Sequence, residues 1–382
     1  MNILLALDNY DHGSGGAEMS AQAIARQLAA RGHAVHVLQA DDATRTYDDG
    51  AVRVHTRALP ARGWIKNRSR DTRRANDAWL PIVRGFVREH PTDLILTHGY
   101  LLISTVEAAA REGIPAIVFL RAYHPFCPDK FLTRDALTEC RRDCARCLGW
   151  TRRLYLPAIQ QSLDDYAAAL RKASLLVANS HYMRQVIERF VGLAAEVLYP
   201  AVSPSLYEAD PAERTCSLFI KPQKVKGLPI FLRVAAAMPD ARFLVAGKAS
   251  RRVGALFSRL GNVEHLGWLD DMRGAYCRSR VLLGPSIWPE PFGRVFVEAG
   301  ANGIPSVASA RGGIPEAVGD GGILIDDIRN TDAWVAALRR LDDPTLYADL
   351  AAKARANAAR FTPDAMIAVF AKSVRDRLAL EL

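Results

Sequence analysis

Short runs of apolar residues alternate along the chain with longer stretches that have helical periodicity. Nine of these runs have the length and apolar character of buried strands. The predicted strands are Ile3–Leu7, Val35–Leu38, Leu94–Leu96, Ala116–Leu120, Leu175–Ala178, Ser217–Ile220, Phe243–Ala246, Val281–Leu283 and Ser306–Ala308. Because strands interleaved with helices form parallel sheets covered by helices on both faces, the pattern predicts an α/β protein.

The strand runs fall into two series, separated by a connector that prolines mark, Leu198–Pro204. A chain of 382 residues also exceeds the size at which one hydrophobic core usually stops growing. We therefore predict two Rossmann-like domains, residues 1–199 and 200–362, and a final amphipathic helix over residues 363–382. Ligands of such folds bind at the carboxyl ends of the strands, so we expect a site in a cleft where the two sheets face each other.

The segment Trp288–Ala299 holds two acids, Glu290 and Glu298, eight positions apart around a proline and a glycine. Pro291 presets the backbone for a first helical turn, so we predict a helix that starts at or just after it. Eight helical positions span roughly 12 Å, with the N–H groups and the positive dipole end between the carboxylates. This arrangement suits a nucleotide diphosphate sugar, with the pyrophosphate at the helix and hydroxyls at both acids. The alternative is a capped helix whose acids are solvated.

The residues that follow continue this pattern with a small-residue helix, a Gly303-Ile304-Pro305 turn and the loop Gly312–Glu316. The block from Pro285 to Gly322 closely resembles family 4 of the retaining glycosyltransferases. The resemblance implies a GT-B fold and transfer of a sugar from a nucleotide diphosphate donor to an acceptor hydroxyl with retention of configuration. It places such an enzyme in the biosynthesis of cell-surface polysaccharide, lipopolysaccharide or glycoconjugates.

The resemblance also implies roles for residues of this block. Glu290 would hold the hydroxyls of the transferred sugar, and Glu298 the ribose. The donor-binding segment would include Phe292, Gly293 and Arg294. The final helix would pack back on the first domain.

A glycine-rich turn, Gly13–Gly16, follows the first predicted strand. Glu18 stands where a dinucleotide fingerprint needs its third glycine, so the turn does not predict a nicotinamide site. Gly15 and Gly16 would still let the backbone approach a phosphate or sugar, and the resemblance implies that they face the donor's diphosphate and the acceptor. The alternative is a tight turn between a strand and a helix.

Two lysines, Lys221 and Lys226, follow the first strand of the second series. Cations at this spacing can clamp a pyrophosphate as charge builds on it, although isolated lysines are mostly solvated. The family usually has Gly-Arg before the Lys-Gly pair, and Ile220-Lys221 replaces it here. A lysine is a point charge that cannot form the bidentate phosphate contact of an arginine.

His124 follows the strand that ends at Leu120, at an edge of the sheet where ligands bind. The resemblance implies a position beside the anomeric carbon and the sugar hydroxyls; the alternative is a structural hydrogen bond. His98 and His181 also follow strands and rank below it. Because cations and a helix dipole would neutralise the leaving phosphate, we expect no cofactor for the chemistry.

Four of the six cysteines lie within a short segment: Cys127, Cys140, Cys144 and Cys147. Their spacing can supply a tetrahedral zinc site, which we expect to brace a loop near the acceptor and to take no part in catalysis. The alternatives are reduced structural thiols and, less favoured, an iron–sulfur cluster.

The chain carries a formal net charge of +9, and its basic residues cluster between Arg57 and Arg74, near Trp64 and Trp79. Four arginines carry our prediction of acceptor or membrane contact: Arg68, Arg70, Arg73 and Arg74. Such a segment could rest on anionic lipid or hold an acidic acceptor; the alternative is a solvated loop face. No RNA-binding or DNA-binding motif accompanies it, so we expect no nucleic acid partner.

No apolar run approaches the ~18 residues of a membrane span. The N-terminal run also lacks a basic leader, so we expect a cytosolic protein, at the inner face of the membrane if its acceptor is lipid-linked. Two other function classes stay open at this point. A nicotinamide oxidoreductase would bind NAD and no nucleotide sugar, and a non-catalytic membrane or nucleic-acid-binding protein would bind without turnover.

Overall fold

The computed structural model describes residues 1–11, 15–59, 69–134, 138, 140–210 and 214–382, with backbone alone at 69–71. The chain forms two compact units. Unit 1 contains Met1–Arg134, Glu139–Pro200 and Pro363–Leu382, and unit 2 consists mainly of Ala201–Thr362.

In the described part of unit 1, eight strands form one sheet in the order β3-β4-β2-β1-β5-β6-β7-β8. They are β1 (Asn2–Leu7), β2 (Ala34–Asp41), β3 (Arg45–Asp49), β4 (Val52–Ala58), β5 (Leu94–His98), β6 (Ala116–Leu120), β7 (Leu175–Ala178) and β8 (Glu196–Val197). All pairs are parallel except β3 with β4. The central strands are buried along almost their whole length, as expected for apolar runs covered by helices on both faces.

Seven helices of unit 1 precede residue 200 in the described ranges. They are α1 (Gly16–Ala30), α2 (Ser69–Glu89), α3 (Leu102–Arg111), α4 (Cys144–Cys147), α5 (Trp150–Arg153), α6 (Leu156–Lys172) and α7 (His181–Val191). Trp79 of α2 is fully buried, and its indole Nε1 donates to Thr105 Oγ1 of α3 at 3.1 Å. This contact fixes α2 against α3 and satisfies the buried indole donor.

Unit 2 has a parallel sheet with the order β11-β10-β9-β12-β13-β14 among its described residues. Its strands and helices are β9 (Cys216–Ile220), α8 (Leu228–Ala237), β10 (Arg242–Ala246), α9 (Arg251–Leu260), β11 (Val263–Gly267), α10 (Arg273–Tyr276), β12 (Ser279–Gly284), α11 (Arg294–Ala301), β13 (Ser306–Ser309), α12 (Ile314–Val318), β14 (Gly322–Ile325), α13 (Thr331–Arg340) and α14 (Pro344–Ala358). The core is aromatic on one face, where Phe231 stacks on Phe219 at 4.6 Å and meets Phe243 edge-on at 5.6 Å.

The last helix, α15 (Pro363–Leu378), belongs to unit 1. Its Phe370 ring lies 5.6 Å from that of Phe119 on β6. Its Arg377 pairs with Glu196 on β8 at 2.6 Å. Burial of Phe370 thus returns the C-terminal segment to the unit that contains the first strands.

The structure confirms the α/β class, and all nine predicted strands are present. Five strands were not predicted: β3, β4, β8, β11 and β14. Strands β3 and β4 form an antiparallel hairpin, with Asp49 opposite Val52, so the sheet of unit 1 is mixed at this edge. The predicted parallel arrangement does not extend to this hairpin, whose charged residues hide the apolar alternation.

Candidate functional site

An ion pair between a partly buried lysine and a buried glutamate lies at the carboxyl edge of the unit 2 sheet. Lys226 Nζ contacts Glu290 Oε2 at 2.8 Å, and Ser286 Oγ donates to the other oxygen of the same carboxylate. The Glu290 side chain is 8% exposed and that of Lys226 is 21% exposed. The ammonium also lies 5.3 Å from the Trp288 ring centroid. Two residues that the sequence assigns to sugar and to diphosphate are therefore in direct contact.

Backbone packing explains why this lysine and this glutamate meet. Gly227 has φ +92°, and a Cβ there would lie 1.8 Å from the carbonyl oxygen of Pro285. Only glycine allows the loop before α8 to approach the end of β12 this closely. The amides of Ile287 and Trp288 both donate to Val225 O, at 2.9 and 3.3 Å. The two loops are thereby locked together.

The other predicted acid, Glu298, lies on α11 inside a buried polar cluster. Its Oε1 accepts from Arg294 Nε at 2.8 Å, and its Oε2 accepts from the Tyr276 hydroxyl at 2.9 Å. Arg294 also donates to Ala201 O at 2.9 Å and to the Tyr207 hydroxyl at 3.1 Å. Burial and the neighbouring carboxylate raise the pKa of Tyr276, which therefore stays a hydroxyl donor. Glu298 is thus held in one orientation.

Helix α11 begins later than the sequence predicts. Its first residue is Arg294 and its N-cap is Gly293, with φ +103°, so the predicted start at or just after Pro291 was wrong. A left-handed glycine ends the extended segment abruptly, which delays the first helical turn. A Cβ at Gly293 would also meet the Phe296 ring at 2.8 Å. About half of the interval between the two acids is therefore non-helical.

Phe292 is in the hydrophobic core of unit 2. Its ring lies edge-on to Phe361 at 5.3 Å, and the residue is 2% exposed. The predicted donor-binding role would therefore fall to the backbone around it.

The glycine loop before α12 packs on the backbone of Glu290. Gly313 N donates to Glu290 O at 2.7 Å, and a Cβ at Gly312 would lie 2.3 Å from that oxygen. The Gly312–Glu316 motif therefore contributes a close approach that fixes Glu290.

The second predicted phosphate ligand, Lys221, follows β9 directly. Its φ of +60° is rare for a residue with a side chain, and its amide donates to Ala246 O at 2.8 Å. The residue is exposed. The strained backbone turns the chain sharply at the carboxyl end of the strand, where a ligand of the sheet would bind.

In unit 1, Gly15 caps α1 and Gly16 is its first residue. Gly15 has φ +154°, and a Cβ there would lie 3.0 Å from Glu18 Oε2. Arg121, which follows β6, donates to Ala17 O at 2.9 Å in the first turn of the helix. Sequence reasoning did not single out this cation, because nothing in the spacing connects it to α1.

His124 also follows β6. Its Nε2 lies 2.9 Å from Gly99 O, and a carbonyl can only accept, so Nε2 carries the proton and Nδ1 is an acceptor. Its ring lies 4.4 Å from Tyr100 and 5.5 Å from Tyr166. Desolvation lowers the pKa of His124 to about 4, so the imidazole is neutral at pH 7. Burial likewise lowers the pKa of His98 to about 3.

Asp8 supports this edge and was missed by sequence reasoning. Its carboxylate accepts from the amides of Tyr100 at 2.5 Å and of Leu101 at 2.7 Å. It thereby fixes the loop that holds Gly99 and Tyr100 next to His124. An acid at a strand end was the available signal.

The four clustered cysteines are thiols. Burial and the neighbouring thiols raise the pKa values of Cys140, Cys144 and Cys147, with Cys127 among those neighbours. Arg142 N donates to Cys140 Sγ at 3.4 Å. Among the described residues, no three or more His, Cys, Asp or Glu side chains are arranged to hold a metal ion. The structural zinc site therefore stays a prediction.

The predicted basic segment is partly described. Arg68 lies outside the described residues, and of Arg70 only the helical backbone is described. Arg73 pairs with Asp165 at 2.7 Å, and Arg74 is exposed on α2. Trp79, which we expected to accompany these cations at a surface, is instead buried against Thr105, because the apolar face of α2 packs on α3.

Two families of known proteins match the two units separately. The family described as "Glycosyl transferase 4-like domain" matches residues 15–200. The family "Glycosyl transferases group 1" matches residues 216–343. A D-inositol 3-phosphate glycosyltransferase from Mycobacterium sp. (strain KMS) is 39% identical over 131 residues, 31% of this chain and 30% of that protein. The chain therefore matches less than a third of that relative's length.

Solved structures are similar over almost the whole chain. Sucrose-phosphate synthase from Thermosynechococcus elongatus has a TM-score of 0.76 at 17% identity, covering 99% of this chain and 100% of its own. HepE from Anabaena, solved with UDP-glucose, has a TM-score of 0.70 at 21% identity, covering 98% of this chain and 99% of its own. The fold and the two family matches lead to one conclusion: the chain belongs to the group 1 glycosyltransferases and has the GT-B fold.

Proposed function

We propose that this protein transfers a sugar from a nucleotide diphosphate sugar to an acceptor hydroxyl with retention of anomeric configuration. The observation that carries the proposal is the Lys226–Glu290 pair at the carboxyl edge of the unit 2 sheet. The pair presents a cation for phosphate and a carboxylate for hydroxyls at the place where ligands of parallel sheets bind. The family matches support transferase chemistry over the nicotinamide and non-catalytic alternatives.

The donor's charge would be neutralised from unit 2. With one ammonium proton on Glu290, Lys226 keeps two donors for phosphate oxygens, and Lys221 supplies a second cation. The amides at the start of α11, next to Gly293, add donors and a dipole. Together these groups would stabilise the leaving phosphate without a metal step.

Hydroxyl recognition would use the carboxylates and the neutral histidine. Glu290 would accept from the transferred sugar, and Glu298, held by Arg294 and Tyr276, from the ribose. His124 would accept a sugar hydroxyl proton at Nδ1 while Nε2 stays on Gly99 O. Gly15 and Gly16 would admit the diphosphate and the acceptor close to the backbone.

In the reaction, the bond from the anomeric carbon to the phosphate oxygen breaks, and a bond to the acceptor oxygen forms on the same face. The acceptor's proton passes to the departing phosphate. We propose that the acceptor is a glycan, a lipid-linked sugar or a small polar molecule of cell-surface glycoconjugate synthesis, and that it binds unit 1.

A donor panel tests the proposal. Nucleotide release from UDP-, GDP-, ADP- and TDP-sugars would be measured with the full chain, and the product's anomeric configuration would be determined by NMR. We expect one base to be preferred and the donor's configuration to be kept. The HepE complex makes UDP-glucose the first donor to try. NAD binding without nucleotide release would overturn the proposal, and an inverted product would overturn retention.

A further inference from the structure

An exposed apolar surface lies on one short stretch of unit 1. Among the described residues, the three most exposed large apolar side chains are Trp150, at 79%, Leu154, at 76%, and Tyr155, at 62%. All three lie within six consecutive residues, and we call them the Trp150 patch. Single exposed apolar residues are ordinary, but three together, two of them aromatic, indicate a contact surface.

The patch is held in place by its own segment. Leu148 is buried, and its carbonyl accepts from Arg153 Nε at 3.1 Å. Gly149 O accepts the amides of Arg152 and Arg153 at 2.9 and 3.1 Å. Arg152 also forms an ion pair with Asp129. The apolar side chains are therefore exposed from an anchored turn.

The patch is set among positive charges. Residues 140–156 contain five arginines and one acid, Asp143, which pairs with Arg146 at 3.3 Å. The arginines are Arg141, Arg142, Arg146, Arg152 and Arg153, all exposed. A partner of this surface must therefore offer an apolar environment to the Trp150 patch and negative charge to the arginines. An anionic bilayer provides both.

The other basic segment does not share this composition in its described part. There, Arg73 and Arg74 are exposed, while Trp79 is buried. Cations without an exposed aromatic or aliphatic group would give electrostatic attraction alone. No described helix is long and apolar enough to cross a bilayer.

We propose that the Trp150 patch binds the surface of a bilayer that contains anionic phospholipid. The Trp150 and Tyr155 rings lie at the level of the headgroups, which such amphipathic rings favour, and Leu154 reaches the acyl boundary. The arginines contact lipid phosphates. This proposal is independent of the proposed glycosyl transfer, since none of its residues belongs to the donor site.

Vesicle flotation tests the apolar part. The full chain would be mixed with vesicles of phosphatidylcholine alone or with phosphatidylglycerol added. We expect binding to the anionic vesicles, and a loss of about tenfold or more in the triple variant W150S/L154S/Y155S. The matched control, L206S/V369S, removes two other exposed apolar side chains and should bind like wild type. Binding of the triple variant equal to wild type would overturn the proposal.

A second variant tests the charge. R141Q/R146Q removes two exposed arginines and should bind anionic vesicles several-fold more weakly, with a flatter dependence on salt. Equal binding of wild type to neutral and anionic vesicles would overturn the anionic specificity. Donor binding and thermal unfolding of both variants are expected to match wild type, which separates this proposal from the proposed activity.

Fluorescence locates Trp150 without relying on the multiple variant. Lipids brominated in the acyl chain should quench part of the wild-type emission from six tryptophans, and W150F should lose that part. Quenching that is identical in W150F would contradict insertion. Size-exclusion chromatography without lipid tests the competing occupant: a dimer that W150S/L154S/Y155S dissociates would show that a second copy covers the patch and would overturn the proposal.

Discussion

The carboxyl edges of the two sheets differ in what their charged and polar side chains bind. In unit 2 the side chains form ion pairs, Lys226 with Glu290 and Arg294 with Glu298. In the described edge of unit 1, Asp8 and Arg121 bond to backbone groups. The neutral His124 is bonded there to the Gly99 carbonyl. Under the proposed function, the paired charges of unit 2 would neutralise an anionic leaving group, and His124 in unit 1 would orient hydroxyls. The Glu290, Glu298 and His124 variants below each change one side of this contrast, and the later predictions test other groups of unit 1.

The largest effect is expected for Glu290→Gln. The change keeps the shape but removes the charge that orients Lys226, so we expect a loss of about a hundredfold or more in kcat/KM. Stability should fall by only about 1 kcal/mol, because Lys226 is near the surface and can reach water. Steady-state kinetics with the preferred donor measures the change in kcat/KM, and chemical unfolding measures the change in stability.

Asp349→Asn is the matched control. Asp349 pairs with Lys353 at 2.7 Å on the exposed face of α14, with both side chains about half exposed. Its loss should leave kinetics and the free energy of unfolding unchanged within error, because an exposed ion pair is screened by water. Wild-type activity in Glu290→Gln would contradict the role assigned to Glu290.

Glu298→Gln should mainly weaken donor binding. We expect KM for the donor to rise about tenfold with little change in kcat, because the ribose is remote from the bond that breaks. Because the buried Arg294 loses its anionic partner, the free energy of unfolding should fall by about 2 kcal/mol. Tyr276→Phe removes one hydrogen bond to Glu298 and should show a smaller rise in KM with kcat unchanged. A fall in kcat with constant KM in both variants would contradict a ribose contact.

His124→Ala should lower kcat/KM about tenfold through loss of a positioned acceptor. Because its pKa lies near 4, the imidazole stays neutral from pH 5 upward, and its titration should cause no inflection between pH 6 and 8. The pH profile of kcat/KM measures this, with His33→Gln as a control in unit 1. An inflection near pH 6.5 that His124→Ala abolishes would show a histidine that titrates normally.

The segment with the four clustered cysteines gives a prediction about metal content. If the four thiols bind zinc, elemental analysis of protein purified without added metal should find about one zinc per chain. Cys144→Ser should lose that metal, and Cys277→Ser, outside the segment, should keep it. Zinc absent from the wild-type protein would return these residues to structural thiols.

The last prediction concerns a histidine group in unit 1. His36 Nδ1 lies 3.0 Å from His55 Nε2, and His90 lies 5.4 Å from both rings. Desolvation and the neighbouring histidines lower the pKa of His55 to about 4, and burial lowers that of His36. As pH falls, these histidines bind protons at a higher pH in the unfolded chain than in the folded chain. The free energy of unfolding should therefore fall as pH drops from about 6.5 towards 4, by at most about 1.4 kcal/mol per pH unit per histidine.

Chemical unfolding across this range, compared with His55→Phe, measures the slope. The variant should respond less to acid than wild type. An equal slope in both proteins would place the acid sensitivity elsewhere in the chain.

The elements that sequence predicted well are those whose burial leaves a mark in composition. Strands such as β1 and β6 are apolar throughout, because helices cover both faces. The β3–β4 hairpin was missed, although its two turn residues begin with Gly50, which suits a tight hairpin turn. Charged residues along both strands hid the apolar alternation. The delayed start of α11 depended on Gly293 in the left-handed region, which sequence cannot distinguish from an ordinary glycine.

The candidate site shows the same division. The Glu290 and Glu298 spacing, the lysines and the histidine could be named from motifs and strand ends. Their partners could not, since Tyr276 and Ser286 reach the carboxylates only through tertiary packing. Nothing in the pattern indicated that Lys226 and Glu290 would touch, because the contact depends on the close approach of Gly227 to Pro285.

The central claim is that the Lys226–Glu290 pair binds a nucleotide diphosphate sugar, with phosphate on the lysine and sugar on the glutamate. Isothermal titration of UDP and UDP-glucose into wild type, Lys226→Met and Glu290→Gln tests it most directly. The account predicts that Lys226→Met weakens both ligands alike, while Glu290→Gln weakens UDP-glucose more than UDP. Equal affinities in all three proteins, or no binding of any nucleotide diphosphate sugar by wild type, would contradict it.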